Sequence, residues 1–309
     1  MFFLFYTVAR QLHKQPNWKE SFHQMLNAAT GKQQWKLYCM FCLMWVNWAL
    51  ETAKWQIAIR PIQVIGFTQA FKAILAGTCI ASFTPNRVGE YLGRMLFVDP
   101  GNKVISVAPT ILCSMSQMLV TLVAGSAGLY LYFELPAYAS VRGLSGNLFK
   151  PAIIATILAA ITLALVYFKF DPLVKKLNKW LKKNKKTISI PENFSFFALS
   201  KILFLSTVRY LVFILQYGLL FSLFGIPLLG LQVFTGVSVM FVLMAIVPTL
   251  TFLTDLGFRW AVGIQVFQVF TFNTAGILAV SLGIWLINLI IPALVGSLLI
   301  LRIKLFSRR

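Results

Sequence analysis

Ser82-Phe83-Thr84-Pro85-Asn86-Arg87-Val88-Gly89-Glu90-Tyr91-Leu92-Gly93-Arg94 is a charged island between two apolar stretches. Charges at membrane depth are costly, and they usually mark a pathway or a binding site. The composition says that membrane depth is the setting. Hydrophobic residues make up 59% of the 309 residues. Only 12% are charged, against about 25% in a soluble domain. Mean hydropathy is +0.79. Apolar runs of about 20 residues recur from end to end, and each can cross a bilayer as a helix. The expected fold is all-α: a polytopic helical membrane protein of about eight membrane helices, some of them broken or re-entrant. One integral membrane domain is expected over residues 1–309.

The expected spans are Trp35–Ile59, the rather short Phe67–Phe83, Val104–Phe133, Leu148–Phe168, Phe194–Phe224, Ile226–Leu250, Leu256–Phe272 and Ala275–Leu301. Phe67–Phe83 and Leu256–Phe272 are short enough to be re-entrant rather than spanning. Pro292 is expected to kink the last span. Ahead of them, Met1–Ala9 is apolar but too short to span, and it lacks the flanks of a signal peptide. Residues 1–34 therefore read as the end of a membrane helix whose start precedes this chain, followed by a polar interfacial stretch.

The formal charge of +20, from 28 Lys/Arg against 8 Asp/Glu, fits positive-inside topology and anionic headgroups better than nucleic acid. Residues 169–193 form a basic loop with eight lysines between Lys169 and Lys186, expected on the cytoplasmic side against anionic lipid. Arg10–Lys36 carries five basic residues, Arg87–Lys103 three and the C-terminal tail four. Strict alternation of sides puts all four segments in the cytoplasm. Cys39 and Cys42 form a CxxC within an apolar run. With no second pair to complete a tetrahedral site, they are expected to be small buried apolar residues, and no metal or other cofactor is expected.

The island has a local logic. Thr84 suits an N-cap and Pro85 the first helical position, so a helix is expected to start there with free N–H groups. On it Arg87, Glu90, Tyr91 and Arg94 would share one face, while Gly89 and Gly93 would let a neighbouring helix approach closely. A helix start with two arginines suits a phosphate. A second, weaker island lies 163 positions after Pro85, where Pro248 breaks an apolar run ahead of Thr254, Asp255, Gly257 and Arg259. Thr254 or Asp255 is expected to cap a helix there. Broken apolar segments at corresponding places in two halves point to a transporter's central site, here through a weak pseudo-repeat. Arg87, Glu90, Arg94, Asp255 and Arg259 are expected to enclose one polar cavity, with Arg209 beside them. Glu51 and Lys54 stand near the end of the span Trp35–Ile59, and Gln117, Lys201 and Arg209 are three more polar residues within apolar spans; Lys201 lies near an end and is expected to snorkel.

The stretch from Phe83 to Glu90, followed by Gly93-Arg94, resembles the first signature of the membrane region of lysylphosphatidylglycerol synthases and of related stand-alone flippase-like proteins. Ser206 to Arg209 with Gln216, and Pro248 to Arg259, resemble later segments of that region. The resemblance covers roughly residues 35–301. Many relatives carry Gly-x-Arg-Glu where this chain has Gly257-Phe258-Arg259-Trp260. The glutamate is missing, and Asp255 is the acidic residue available to replace it. The resemblance implies a multi-pass protein of the bacterial cytoplasmic membrane that moves an anionic or glycosylated lipid between leaflets. The synthase members add a soluble aminoacyl-transfer domain. The chain runs eight residues past Leu301 and is read as a stand-alone membrane region with a cytoplasmic C-terminus.

A membrane-embedded transferase, or an accessory subunit acting on a lipid carrier, is the alternative from another class. Such an enzyme usually shows clustered acidic residues or a placed base. With eight acidic residues, no DxD, and His13 and His23 confined to the N-terminal polar stretch, the sequence favours transport over catalysis. The absence of a Walker-type loop argues against direct ATP use.

Overall fold

The computed structural model describes residues 33–134, 142–183, 194–247 and 252–306. The N-terminal stretch to residue 32, the end of the lysine-rich loop and Pro248 lie outside the described residues. Among the described residues the ordered elements are all helical: α1 Trp35–Ile59, α2 Phe67–Ser82, α3 Gly89–Met95, α4 Val107–Glu134, α5 Arg142–Phe168, α6 Phe170–Lys183, α7 Phe196–Leu223, α8 Gly230–Ile246, α9 Phe252–Phe267, α10 Thr274–Trp285 and α11 Ile291–Phe306. Four helical stretches here are long and apolar enough to cross a membrane: Val107–Glu134, Phe149–Phe168, Phe196–Leu223 and Thr274–Leu301. Helix α1 is also long, at 25 residues, and it carries Glu51 and Lys54. Helices α2 and α9 have 16 residues each. At 1.5 Å per residue they reach about 24 Å, short of a ~30 Å hydrocarbon core.

The chain separates into two compact units. One is drawn from the described parts of Met1–Val46, Thr121–Ile157 and Leu211–Ile291, the other from Asn47–Val120, Leu158–Tyr210 and Pro292–Arg309.

In the second unit, α2 and α3 form a hairpin. Gly93 on α3 lies against Ala76 and Gly77 on α2, and Gly89 lies against the Ile80 carbonyl, so the two helices run antiparallel. Gln69 Nε2 donates to Phe97 O at 2.8 Å, and Asp99 N–H donates to Gln63 Oε1 at 3.1 Å. The segment therefore ends beside its own beginning, as a closed helical hairpin. The helix predicted to begin at Pro85 begins at Gly89 instead. Pro85–Arg87 forms a single 3-10 turn, and Arg87 takes a left-handed φ of 58° that separates turn from helix. Elsewhere in this unit Tyr167 OH donates to Leu199 O at 2.7 Å, tying the end of α5 to the start of α7. The basic segment, expected as a loop, is helical over Phe170–Lys183: Phe170, Val174 and Asn178 recur at i, i+4, i+8 and are buried, while Lys175, Lys176 and Lys179 are exposed.

In the first unit, α8 and α9 are likewise antiparallel, with the Phe267 ring against Gly236 and Met240 facing Gly263. Tyr132 OH donates to Val266 O at 3.1 Å. Lys36 Nζ donates to Ser222 Oγ at 2.6 Å, which sets the start of α1 beside the end of α7. Ahead of Pro292 the last span widens into a π-turn over Leu286–Ile290, where the Ile291 N–H donates to Leu286 O. The proline's missing donor and bulky ring make a regular turn costly just before it, and the wider turn accommodates both. Asn288 Nδ2 donates to Ile284 O at 3.4 Å and to Gln216 Oε1 at 3.0 Å. Cys39 is half-buried and Cys42 is exposed, so the expectation that both are buried fails; Cys79 and Cys113 are buried, and all four are free thiols.

Candidate functional site

Asn47, Glu51 and Lys54 recur at i, i+4 and i+7 on α1, which puts them on one face. Glu51 is the centre of the site, in the second unit. Its Oε2 takes Lys54 Nζ at 2.7 Å and Arg209 Nη1 at 2.8 Å. Its Oε1 takes Arg94 Nη2 at 2.9 Å. Arg94 also pairs with Glu90, one turn back on α3. Arg87 Nε stands 3.9 Å from the other Glu90 oxygen.

Glu51, Lys54 and Arg94 are buried among one another rather than laid along open water. Arg94 and Lys54 are each 1% exposed and Glu51 is 4% exposed. Burial at that depth is tolerable only because each charge finds an opposite one. The match is incomplete. Four cations (Lys54, Arg87, Arg94 and Arg209) meet two carboxylates (Glu51 and Glu90), leaving two positive charges in excess. Two buried Arg94 nitrogens, Nε and Nη1, have no hydrogen-bond partner. Neutral groups hold the rest in place. Arg209 Nε donates to Asn47 Oδ1 at 2.5 Å, and Gln117 Oε1 is 3.5 Å from Arg209 Nη1. Arg94 lies over the Trp55 ring and Arg209 over the Trp48 ring, each at 5.8 Å.

The helix start offers less than the sequence implies. The Arg87 and Val88 N–H groups donate to Thr84 O and Pro85 O, at 3.3 and 3.2 Å. The Gly89 N–H donates to Thr84 Oγ1 at 2.7 Å. Thr84 is thus a clasp across the hairpin tip rather than a cap, and those amides are not available to an anion. Arg87, expected on one face with Glu90 and Arg94, precedes the helix, and its side chain is 54% exposed.

Asp255 and Arg259 belong to the other unit and form a separate pair. Helix α9 starts at Phe252, so Thr254 and Asp255 stand in its first turn rather than capping it. Asp255 Oδ2 accepts from Arg259 Nη2 at 3.4 Å, and Arg259 Nη1 donates to Tyr217 OH at 3.2 Å. Arg259 Nε is buried without a partner. Asp255 thus supplies the acidic partner that the missing glutamate left open. Gly257 is buried within α9, and Lys201 is exposed. A cavity of about 560 Å³ opens at the base of the α2–α3 hairpin, beside Gln69, Lys72 and Asp99, and none of the Glu51 cluster lines it. Among the described residues no group of three or more His, Cys, Asp or Glu could hold a metal ion.

Glu51, Lys54 and Asn47 were not among the residues picked from the sequence as binding the substrate. Their signal was present: three polar residues, two of them charged, at i, i+4 and i+7 on one face of a largely apolar helix.

The family model described as "Lysylphosphatidylglycerol synthase TM region" matches residues 15–296, a range that includes both charged islands and all of the Glu51 cluster. No curated protein and no solved structure matches the chain. With the multi-pass helical fold and a match over most of its length, the chain belongs to the lysylphosphatidylglycerol synthase TM-region family.

Proposed function

We propose that this membrane protein moves a phosphate-bearing anionic lipid between leaflets, and that the Glu51 cluster handles the headgroup. The observation that carries the reading is the charge imbalance: three inward cations (Lys54, Arg94 and Arg209) and the half-exposed Arg87 against two carboxylates, with two buried Arg94 nitrogens without partners. An uncompensated positive cluster favours an incoming anion, and guanidinium groups match phosphate oxygens in geometry. The family supports a lipid as the substrate. The exposed lysines of α6 rest on anionic headgroups.

The proposed setting is a bacterial cytoplasmic membrane, with the lysine-rich segment and the C-terminus inside. The re-entrant α2–α3 hairpin alters one part of the alternation. Between Lys36 and the lysine-rich segment the crossings are α1, α4 and α5, an odd number. Arg10–Lys36 then faces the side opposite the lysines. The Lys36–Ser222 contact favours this arrangement, since α7 leaves the lysine side and ends beside Lys36.

The test is reconstitution. Vesicles containing the purified chain and a headgroup-labelled phosphatidylglycerol are treated with an impermeant quencher. The expected result is loss of the inner-leaflet signal that empty vesicles protect, and its retention when Arg209→Gln is used. Equal protection in wild-type and empty vesicles, with and without an imposed ion gradient, would rule out lipid movement by this chain.

A further inference from the structure

We infer that Glu51 is an exchangeable counter-anion: it occupies Arg209 in the resting site and yields that arginine to an incoming phosphate oxyanion. This rests on the proposed function for its setting, but it makes a separate claim about the site's resting state. The argument begins with how Glu51 is shared. Oε1 is committed to Arg94, whereas Oε2 is divided between Lys54 at 2.7 Å and Arg209 at 2.8 Å. Of these three cations, Arg209 has the most exposed side chain, at 15%, against 1% for Lys54 and 2% for Arg94. Past the exposed Arg87, an anion that reaches Glu51's own partners therefore meets Arg209 first.

If the phosphate replaces Glu51 there, neither charge is stranded. Arg209 exchanges one oxyanion for another while Asn47 keeps hold of Nε. Glu51 retains Lys54 and Arg94 and can settle toward Arg94, whose Nε and Nη1 have no other partner. Those two buried donors are the second observation: the site holds unused hydrogen-bonding capacity on Arg94, the partner of the Glu51 oxygen that Arg209 does not share. A carboxylate that merely pinned the helices together would not need it. The exchange lets a charged headgroup enter and leave without baring an arginine at membrane depth, where an unpaired charge is most costly. It also means that Glu51 competes with the ligand.

Competition gives the sign of the test. Glu51→Gln and Glu51→Asp are purified and placed in nanodiscs of phosphatidylglycerol mixed with phosphatidylcholine, and retained lipid is read by native mass spectrometry. Inorganic phosphate is added in a parallel arm. Removing the competing carboxylate should raise retention of phosphatidylglycerol over phosphatidylcholine by about tenfold, the scale of one charge-assisted contact. Shortening it to Asp should raise it less. The Asp variant keeps the charge and so decides the matter if the Gln variant does not fold. Retention that is unchanged or lower in the folded variants overturns the exchange and leaves Glu51 a structural anchor. If inorganic phosphate binds more tightly and phosphatidylglycerol does not, the exchange stands and its ligand is free phosphate. If phosphatidylglycerol retention rises but the vesicle assay shows no movement, the exchange stands and the transport reading fails.

Discussion

Gly93 lies directly against Gly77. A Cβ on Gly93 would overlap the backbone of Gly77 and Ala76, and one on Gly77 would fall 3.0 Å from Glu90 O and 3.2 Å from Arg94 Cγ. The close approach of two glycines brings α3 near enough to α2 for the next residue, Arg94, to be buried beside Glu51. The obstruction is backbone, which cannot rotate aside. Gly93→Ala should therefore lower stability by about 1–3 kcal/mol, the usual cost of overpacking. Gly101→Ala is the control, since nothing lies within 4 Å of a Cβ there. Thermal melting of both variants in one detergent checks this. Equal melting would show that the hairpin is not held by the glycine contact.

Arg94 is the cation whose loss should cost most. Without it Glu90 keeps only the loose 3.9 Å contact with Arg87, and Glu51 keeps Lys54 and Arg209. Removing one partner of a buried pair typically costs about 3–5 kcal/mol. Arg94→Met should show a loss of that order, and Arg94→Met with Glu90→Gln should recover part of it. Melting of the single and double variants checks the coupling. Strict additivity would mean that Glu90 and Arg94 do not depend on each other.

The backbone at Arg87 separates two roles that its charge alone would confuse. A left-handed residue other than glycine is strained by about 1–2 kcal/mol. Arg87→Gly should relieve that strain and hold or raise stability. Arg87→Ala keeps the strain and loses only a half-exposed ion pair, for a change of about 0–1 kcal/mol. Both remove the charge, so both should slow lipid movement equally. If Arg87→Gly moves lipid at the wild-type rate, the headgroup does not meet this arginine.

Much of the fold is legible in the sequence because lipid imposes one requirement. Every backbone group must be satisfied within its own segment, so apolar runs become helices. The run Trp35–Ile59 has the same bounds in sequence and structure. The close packing expected of Gly89 and Gly93 is also found. The error at the island has a local cause. Thr84 and Pro85 do open a helical turn, but the Thr84 hydroxyl is drawn to Ile80 O and the Gly89 N–H across the tip. That closure across the tip, rather than capping, sets the geometry. Glu51 was harder to weigh because its three partners come from α1, α3 and α7, and only tertiary contact makes a centre of it. Cys42 was misplaced because apolarity alone does not say whether a residue faces protein or lipid.

The hairpin also fixes a prediction about sides. If α2 crossed the membrane, Arg60 and Lys103 would lie on opposite faces. The bonds from Gln69 to Phe97 O and from Asp99 to Gln63 close the segment on itself, so Arg60 and Lys103 should share one face. Helices α4 and α5 then return the chain to that face at Lys179, and α7 leaves it before Leu229, which is 70% exposed. Cysteines are placed one at a time at Arg60, Lys103, Lys179 and Leu229, with the half-buried Cys39 and the exposed Cys42 replaced by Ser so that only the buried Cys79 and Cys113 remain. An impermeant thiol reagent applied to intact cells should label only the Leu229 position. Labelling at Arg60 with protection at Lys103 would make α2 a true span and return the N-terminal stretch to the lysine side. Labelling at Arg60, Lys103 and Lys179 together, with Leu229 protected, would keep the hairpin and invert the orientation.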